Sequence, residues 1–351
     1  KNILDFDRQK LLHYQPSYEG PKIIKGDLNQ DNRDDLIIGG GKDQEIEVWI
    51  QDINGDFKRK NSPDFLKDKG SVTSSLELLD IDSDGDFDLY SSNGGYHNFE
   101  KNSLELQDAL YINDGDGKFK KKSNILPIES SGVNASADIN KDGNPDLFVA
   151  GGIIPGSYPD HFENQILINN GKGDLIVDKL QKKILNDVEG IVRDGIWTDL
   201  NSDGFEDLIL VGEWMPVTVF INKNGFLEKK IDYFSNNLTK NGWWNIIEKA
   251  DLNNDGRLDF IIGNEGDNNV FNPSLEEPLR MHFDDFDQNG SIDPILSYYI
   301  QGKSYPLATR DELLSQWVEL KSTYNSYESY ANTDLESLVK GYINETTKIW
   351  E

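Results

Sequence analysis

The sequence contains no cysteine among its 351 residues. A disulfide framework, a thiolate metal site and a cysteine nucleophile are therefore excluded. The fold must be held by its apolar core and by non-covalent groups that other side chains can bind. A core of ordinary size is available, because the chain carries 16 phenylalanines, 14 tyrosines and 7 tryptophans.

Basic residues are also scarce. The 35 Lys and Arg stand against 63 Asp and Glu, so the formal net charge is −28. Such a surface disfavours nucleic acid and anionic lipid as direct partners, but it suits divalent cations. A disordered acidic chain would share this charge, and the aromatic content of 11% argues against that interpretation.

Long apolar runs are absent as well. No run approaches the ~20 residues that a helix needs to cross a bilayer, so the sequence predicts no membrane span. No signal peptide is recognisable, yet the chain starts at Lys1 and not at Met. We therefore expect a processed or trimmed product, or one part of a longer polypeptide.

Histidine occurs only four times, as His13, His97, His161 and His282. None lies in an H-E-x-x-H helix, and the sequence has neither a G-x-S-x-G elbow nor a P-loop. A solitary histidine on this background is more often a surface or hydrogen-bonded residue than a catalyst. The sequence therefore predicts that the protein is not an enzyme.

One motif, D-x-[DN]-x-[DN]-[GN]-x-x-D, recurs along the chain. Its densest copy is "DIDSDGDFD", with five aspartates in nine residues, and such crowding requires a positive partner. Consecutive copies start 53, 58, 61, 52 and 34 residues apart, a period typical of a repeat architecture such as a propeller. We number these loops first to sixth, at residues 27–35, 80–88, 138–146, 199–207, 251–259 and 285–293.

Each loop offers only oxygen ligands. Positions 1, 3, 5 and 9 are Asp or Asn, while the side chains at position 7 share no chemistry, so position 7 should contribute its carbonyl. Calcium accepts six to eight oxygens in a flexible geometry, magnesium prefers a tighter octahedron, and zinc would want His or Cys. We predict about six calcium ions, one per loop. The predicted metal ligands are Asp27, Asn29, Asp31, Arg33, Asp35, Asp80, Asp82, Asp84, Asp86, Asp88, Asp138, Asn140, Asp142, Asn144, Asp146, Asp199, Asn201, Asp203, Phe205, Asp207, Asp251, Asn253, Asp255, Arg257, Asp259, Asp285, Asp287, Asn289, Ser291 and Asp293.

Two alternative interpretations of the loops are weaker. An EF-hand requires Glu at position 12 and flanking helices, whereas the loops are followed by short apolar runs such as "LIIGGG" and "LFVAGG". A solvated acidic face would explain one copy, but not six with the same spacing. Position 2 is always apolar and should anchor the loop to the core. Position 6 is Gly or Asn, which tolerate left-handed backbone.

A hairpin pattern follows each of the first four loops: "VWIQDINGDF", "LYINDGDGKF", "ILINNGKGDL" and "VFINKNGFL". Each reads as strand, Asn/Asp-Gly turn and strand. One repeat is then four antiparallel strands in about 50 residues, which is one propeller blade. The sequence therefore predicts an all-β protein: a β-propeller of six to seven four-stranded blades over residues 1–308.

Residues 309–351 differ from the repeats. Two capping boxes, Thr309 with Glu312 and Thr333 with Glu336, precede apolar residues at helical spacing. They predict a short helical hairpin over about 309–322 and 333–346. This C-terminal segment should pack on the propeller, and a partner-binding groove is the less favoured interpretation.

The loops and hairpins resemble FG-GAP/VCBS repeats, as in integrin α-subunit propellers and many secreted bacterial proteins. More specifically, "GGIIPGSYP", "VGEWMPVTVF", "GWWN" and the stretch from Asp285 to Leu313 resemble the ASPIC/UnbV-associated VCBS proteins of Bacteroidota, whose human relatives are the cartilage acidic proteins. The resemblance covers nearly the whole chain. It implies a calcium-stabilised propeller outside the cytoplasm, at the cell surface and associated with the outer membrane of a Gram-negative bacterium. It also implies a further blade after residue 351.

The sequence predicts an incomplete ring. The fifth and sixth loops are only 34 residues apart, and no Asn-Gly hairpin lies between them, so the fifth blade should be reduced. An open sheet edge near the sixth blade invites pairing. The N-terminal segment 3–14, the C-terminal helices or a polypeptide outside these residues could cover it, and we favour the last.

Two functions remain open at this stage. The first is a protein-binding or scaffold module at the cell surface, as a component of an outer-membrane assembly. The second is a carbohydrate-active propeller, either a lectin or a polysaccharide lyase. The fold alone does not decide between them. "GEWMP" and "GWWN" carry tryptophans that could stack on sugar rings, although packing between blades is the better interpretation.

Overall fold

The computed structural model describes residues 4–18, 20–96, 99–123, 126–230, 233–234, 238, 240–266 and 271–351.

The chain is an all-β propeller, as the sequence predicted. Its first four blades each consist of four consecutive antiparallel strands. Blade one contains β1 (Ile23–Gly26), β2 (Asp35–Ile38), β3 (Glu47–Gln51) and β4 (Phe57–Lys60). Blade two contains β5 (Val72–Leu79), β6 (Asp88–Gly94), β7 (Ala109–Ile112) and β8 (Lys120–Lys121). Blade three contains β9 (Ser131–Ala137), β10 (Asp146–Gly151), β11 (Gln165–Asn169) and β12 (Leu175–Val177). Blade four contains β13 (Ile191–Thr198), β14 (Asp207–Met215), β15 (Thr218–Lys223) and β16 (Phe226–Lys230).

Each acidic loop connects the first two strands of its blade. In blade one, for example, Gly26 at the end of β1 pairs with Asp35 at the start of β2, so the first loop is the turn between them. The four predicted hairpins form the third and fourth strands. Alternating apolar residues along these strands give each blade two faces that pack on its neighbours.

Blade five is reduced, as predicted. Within the described residues it consists of β17 (Gly242–Ala250) and β18 (Asp259–Asn264). Strand β17 also pairs with the end of β14, which joins blades four and five into one six-stranded sheet. The segment between β18 and the next strand includes residues outside the described ranges.

The sixth sheet gains its fourth strand from the C-terminal end of the chain. It contains β19 (Arg280–Asp284), β20 (Asp293–Ile300) and β21 (Lys303–Pro306), and its fourth strand is β22 (Lys348–Trp350). Met281, His282 and Phe283 of β19 pair with Trp350, Ile349 and Lys348. This strand follows the C-terminal helices and covers one edge of the sheet, whereas β21 forms the other edge among the described residues, and the outside polypeptide that we favoured stays a prediction.

The hydrophobic core is divided among the interfaces between consecutive blades. Separate clusters of buried side chains lie between blades one and two, two and three, three and four, and four and five. Another cluster joins the sixth sheet to the C-terminal helices. Each of the first four blades therefore shares a buried apolar cluster with the blade that follows it.

The C-terminal segment is helical, but the predicted helix lengths were wrong. The structure has α2 (Arg310–Gln316), a 3-10 helix (Val318–Ser322), α3 (Tyr327–Ala331) and α4 (Leu335–Val339). An earlier helix, α1 (Lys179–Leu185), lies in blade three. Among the described residues, no helix combines the length and the apolar character needed to cross a membrane.

The N-terminal segment ties distant parts of the fold together. The Arg8 guanidinium donates to the carbonyl oxygens of Tyr96 (3.0 Å) and Phe99 (2.6 Å). The Gln9 amide donates to the carbonyl oxygens of Tyr158 and Ile292, each at 2.8 Å. The segment therefore contacts blade two, blade three and the sixth loop.

Candidate metal centres

The first aspartate of every loop closes a turn with its own backbone. One oxygen of this carboxylate accepts from the N–H at position 5, at 2.9–3.2 Å. The other accepts from the N–H at position 6, at 2.7–3.0 Å. Position 5 accepts in turn from the N–H at position 7, at 2.8–3.1 Å. All six loops thus share one geometry.

The aspartate at position 9 anchors each loop to its blade. One of its oxygens accepts from the N–H of the apolar residue at position 2, at 2.9–3.2 Å. Its other oxygen in blades one to four accepts from a backbone N–H at or just beyond the end of the third strand, at 2.7–2.9 Å. Asp259 differs, because in the described part of the chain it accepts only from the Leu252 N–H. Five of the six position-9 side chains are fully buried: Asp35, Asp88, Asp146, Asp207 and Asp293.

The donors to position 9 are functional residues that sequence reasoning missed. They are Gln51, Asn113, Asn169 and Asn222 in the first four blades, and the Gln316 side chain in the sixth sheet. Three of them are the Asn of the hairpin motif, which we had interpreted only as a turn signal. Two of these side chains also donate to the loop of the preceding blade, Asn113 to the Leu28 carbonyl and Asn222 to the Ile139 carbonyl, each at 2.9 Å.

The backbone of each loop is left-handed at two positions. Position 6 has φ between 62° and 92°, as Gly and Asn at this position predicted. Position 4 is also left-handed, with φ between 57° and 63°, in Gln30, Ser83, Lys141, Ser202, Asn254 and Gln288. Except for Asn254, these residues give no sequence signal for this conformation, so we attribute it to the hydrogen bonds of the loop.

Two loops bring three carboxylates close enough to hold one metal ion. In the second loop, Asp80, Asp82 and Asp88 each offer one carboxylate oxygen, and these three oxygens lie within 4.8 Å of one another. Asp285, Asp287 and Asp293 of the sixth loop form a second such group among the described residues. The first, third, fourth and fifth loops carry Asn at position 3 instead. There an amide oxygen takes the place of the third carboxylate.

The second loop carries the clearest deficit of positive charge. Burial raises the pKa of Asp86 to about 6 and that of Asp88 to about 7, and the neighbouring aspartates add to the rise. Burial and the charges of Asp84 and Asp80 also raise the pKa of Asp82. One buried oxygen each of Asp82 and Asp86 has no hydrogen-bond donor among the described residues. A bound divalent cation would satisfy these oxygens and favour the ionised carboxylates.

Position 7 is less uniform than the sequence suggested. The Arg33 guanidinium forms an ion pair with Asp31 of its own loop, and Arg257 lies 3.6 Å from Asp255. In the first and fifth loops, part of the positive charge is thus supplied by arginine. Asp86 instead adds another carboxylate to the second loop. The second and sixth loops are therefore the strongest candidate metal centres.

The donor chemistry of the loops fits a hard cation. Each loop carries side-chain oxygens at positions 1, 3, 5 and 9, and hydrogen bonds to the backbone fix positions 1, 5 and 9. Oxygen donors of this kind are the ligands that Ca²⁺ and Mg²⁺ prefer. The full set of 30 predicted ligands and the count of six ions stay predictions.

Comparison with known proteins gives little beyond the repeats. No curated protein matches the chain. Among solved structures, a lectin of Agrocybe aegerita, described by its recognition of non-reducing terminal N-acetylglucosamine, is 18% identical, with a TM-score of 0.47 over 96% of this chain and 71% of the lectin. The biofilm matrix protein Bap1 of V. cholerae is 13% identical, with a TM-score of 0.31 over 95% of this chain and 61% of that protein. Neither likeness bears on what this chain binds.

A family model matches the acidic loops themselves. The FG-GAP-like repeat matches residues 27–91 and 199–262. The first region runs from the first loop through the second, and the second region runs from the fourth loop through the fifth. The matched regions thus coincide with acidic loops and with blades of the structure. The chain contains FG-GAP-like repeats in these two regions.

Proposed function

We propose that the chain is a calcium-stabilised β-propeller that acts as a protein-binding or scaffold module at the cell surface. The observation that carries this proposal is the shared geometry of the six loops, together with a buried Asp82 oxygen that no donor reaches in the described part of the chain. Calcium suits these loops better than magnesium because each loop offers several protein oxygens, and calcium accepts six to eight of them in a flexible geometry whereas magnesium keeps several waters in a strict octahedron. One ion per loop is the proposed stoichiometry.

Calcium titration of metal-free protein tests the first half of the proposal. Isothermal calorimetry should detect six calcium ions per chain, with the second and sixth loops filling first. Asp82→Ala should remove one site, whereas Asp174→Ala should remove none, because Asp174 is an acid of a hairpin outside the loops that pairs with Lys122. Finding four or more of the loops empty in a structure determined with millimolar calcium would refute the stoichiometry.

The binding role would be exercised outside the cytoplasm. The resemblance to ASPIC/UnbV-associated proteins supports a place in an outer-membrane assembly, and the repeats and a net charge of −28 are compatible with a secreted location. Affinity purification from cross-linked cell envelopes, with and without a chelator, tests this role. Recovery of envelope proteins in calcium alone is the expected result. Recovery of cytoplasmic proteins only would contradict it.

Carbohydrate binding is the second candidate, and one cavity favours it. A cavity of about 660 Å³ lies beside blade five and is lined by Trp214, Trp243, Phe271 and Asn264, among others. Aromatic faces beside amide groups are suited to sugar rings, although Trp214 is buried and donates its N–H to the Tyr158 hydroxyl at 3.2 Å. A glycan array run with and without calcium would distinguish a lectin from a protein-binding module.

We also propose that the chain lacks hydrolase and lyase activity on common polysaccharides. Burial lowers the pKa of all three described histidines. The pKa of His13 falls to about 4, and those of His161 and His282 are also lowered. His97 falls outside the described residues. Turnover of a polysaccharide that disappears in His97→Ala or His161→Ala, with folding intact, would contradict this proposal.

A further inference from the structure

The residue at position 4 of a loop is not a predicted ligand, yet it lies between the predicted ligands at positions 3 and 5. In the first two loops, its side chain donates a hydrogen bond to the loop of the following blade. The Gln30 amide donates to the Gly85 carbonyl of the second loop at 3.4 Å. The Ser83 hydroxyl donates to the side-chain oxygen of Asn144 in the third loop at 3.1 Å. These bonds join loops across 55 and 61 residues of sequence.

The third loop contacts the fourth loop through a cation at the same position. The ammonium of Lys141 lies 4.0 Å from the centre of the Phe205 ring, a distance at which the ring attracts a positive charge. The same nitrogen lies 2.7 Å from the point at which a Cβ on Gly204 would stand. Position 4 therefore contacts the following loop at three consecutive junctions.

All three contacts reach the same part of the receiving loop. Gly85 occupies position 6, and Asn144 and Phe205 occupy position 7. Position 7 is the residue whose backbone carbonyl we predict to bind the metal ion. An ion held by positions 3 and 5 of one loop would restrain position 4 between them, and position 4 would then restrain position 7 of the next loop. The contacts thus connect the ligands of one candidate metal centre to those of the next.

This series of contacts ends at the fourth loop. Ser202 occupies position 4 there and resembles Ser83, because both serines are exposed and their φ angles are 60° and 63°. Among the described residues, however, Ser202 forms no hydrogen bond with the fifth loop, and Asn254 of the fifth loop forms none with the sixth. The fifth and sixth loops are therefore separate from the series formed by the first four.

Unsatisfied buried groups gather at one junction of this series. The side chains of Asn113 and Asn222 each donate to the loop of the preceding blade. Asn169 holds the same place in blade three, which follows the second loop. Asn169 is fully buried, and its side-chain nitrogen has no acceptor in the described part of the chain. Asp82 and Asp86 of the second loop each have a buried oxygen without a donor there. The junction of the second and third loops is thus where a bound ion would add most order.

We propose that the first four loops bind calcium cooperatively, through the contacts of position 4 with the following loop, and that the fifth and sixth loops bind it independently. This inference rests on the proposed calcium-stabilised function and adds its regulation, because cooperative sites fill over a narrow range of calcium concentration. The coupling is reciprocal, so an ion in the third loop favours one in the second as much as the reverse.

Hydrogen exchange followed by mass spectrometry, at a series of free calcium concentrations, gives a separate binding curve for the peptide that spans each loop. A salt concentration of 0.15 M screens the repulsion between bound ions over about 8 Å. The curves of the first four loops should be steeper than single-site binding and should have nearly the same midpoint. The curves of the fifth and sixth loops should follow single-site binding at midpoints of their own.

Ser83→Ala tests the contact itself. It removes an exposed hydroxyl that is not a predicted ligand, and it should raise the calcium midpoint of the third loop by about fivefold or more. Ser202→Ala is the matched control, since it makes the same change at the same position of the fourth loop and should leave the midpoint of the fifth loop unchanged. Melting temperatures in saturating calcium would show that both variants fold.

A double-mutant cycle separates coupling from a purely structural role of Ser83. Asp82→Ala removes a ligand of the second loop, and it should raise the midpoints of the first and third loops but not that of the sixth. Adding Ser83→Ala to this variant should have no further effect on the third loop, because the ion whose binding Ser83 transmits is then missing. A structural role would shift the third loop equally in both backgrounds.

Four results would overturn the inference. They are single-site curves with unrelated midpoints in the first four loops, one midpoint shared by all six loops, a third loop that does not respond to Ser83→Ala, and equal shifts in the two backgrounds of the cycle. Six ions that bind independently would leave the proposed function standing. A chain that binds no calcium would refute both the inference and the proposed function.

Discussion

A single glutamine side chain takes the place of a backbone N–H donor at the sixth loop. The Gln316 amide donates to the Asp293 carboxylate at 2.6 Å, where the other complete blades use a backbone N–H beside the third strand. It also donates to the Ile292 carbonyl at 3.3 Å, and its oxygen accepts from the Lys10 N–H at 2.8 Å. One side chain therefore connects helix α2, the N-terminal segment and a candidate metal centre.

We expect Gln316→Ala to lower the free energy of unfolding by about 1–3 kcal/mol, because it leaves buried partners unsatisfied. It should also weaken calcium binding at the sixth loop alone. Denaturant titration and calorimetry measure the two effects. Gln181→Ala is the matched control, since Gln181 is a buried glutamine bonded to Gly225 and Leu227 away from the ligand positions. Equal loss of calcium in both variants would contradict a specific role for Gln316.

Asp108 predicts a pH dependence of stability that is independent of the loops. Its carboxylate is buried in blade two, accepts from the hydroxyls of Tyr90 and Ser131 and from the Asn93 N–H, each at 2.7 Å, and has its pKa raised to about 7 by burial. An acid whose pKa is raised on folding stabilises the protein while it is protonated. This contribution is complete below about pH 4 and is lost as the pH rises to about 7.

We expect the stability difference between wild type and Asp108→Asn to fall as the pH rises from 4 to 7, because the variant cannot ionise. The slope should approach ~1.4 kcal/mol per pH unit and flatten above pH 7. Chemical denaturation at a series of pH values, at constant free calcium, measures it. A difference that does not vary with pH would show that Asp108 stays ionised in the folded state.

At the residue scale, the sequence predicted the acidic loops but not the residues that donate hydrogen bonds to them. The left-handed position 6 follows from Gly and Asn, whereas position 4 holds residues such as Gln30 and Lys141 that give no such signal. The donors to position 9 come from elsewhere in the chain, and local spacing does not contain that information. The Arg33 contact with Asp31 was missed because we assigned position 7 only a backbone role.

At the scale of single elements, β18 is the exposed strand of the propeller. It pairs with β17 on one side and, within the described residues, has no strand on the other. Its counterpart β14 is buried along its whole length and has strands on both sides. Amide groups at an unpaired edge open to water with a lower free energy than those inside a sheet.

We therefore expect amide hydrogens of β18 to exchange faster than those of β14, by about one order of magnitude or more. Hydrogen exchange followed by mass spectrometry, in calcium and at low protein concentration, would measure this difference. The peptide that spans β10, the second strand of blade three, serves as a control and should exchange as slowly as β14. Equal protection of β18 and β14 would mean that β18 is covered.

The C-terminal helices show why helix lengths were harder to predict than helix positions. The capping box of Thr309 and Glu312 forms as predicted. Helix α2 then ends at Trp317, whose ψ of 80° leaves the helical region so that its ring can stack on Phe286, 5.2 Å away. The second N-cap is Asp334 and not Thr333. We attribute both the end of α2 and the choice of the second N-cap to tertiary packing, which a local sequence pattern does not contain.

At the scale of the whole molecule, the net charge of −28 makes metal removal a global perturbation. Each calcium ion that binds only the folded chain stabilises it by about 2.7 kcal/mol at a hundredfold excess over Kd. We therefore expect excess EDTA to lower the melting temperature by ~5 °C or more. Scanning calorimetry after prolonged dialysis, to allow slow release, measures it, with added magnesium as the control. An unchanged melting curve would show that calcium does not stabilise the folded chain.

The repeat period and loop motif were sufficient to predict a propeller with a reduced fifth blade. They could not predict how the sixth sheet ends, because β22 pairs with β19 across more than sixty residues and has only three residues of its own. The joining of β14 to β17 was hidden for the same reason. A strand signal is local, whereas the choice of partner strand is a property of the assembled fold.

The contacts of the N-terminal segment impose an order on folding. The first four blades are built from consecutive strands, so each can form soon after its own residues leave the ribosome. Gln9 is synthesised before all of them, yet its partners are Tyr158 in blade three and Ile292 in the sixth loop. Gln9 must therefore wait, undocked, until the residues up to Ile292 have been made. The contact of Gln9 with Ile292 can then form only after the sixth loop has folded.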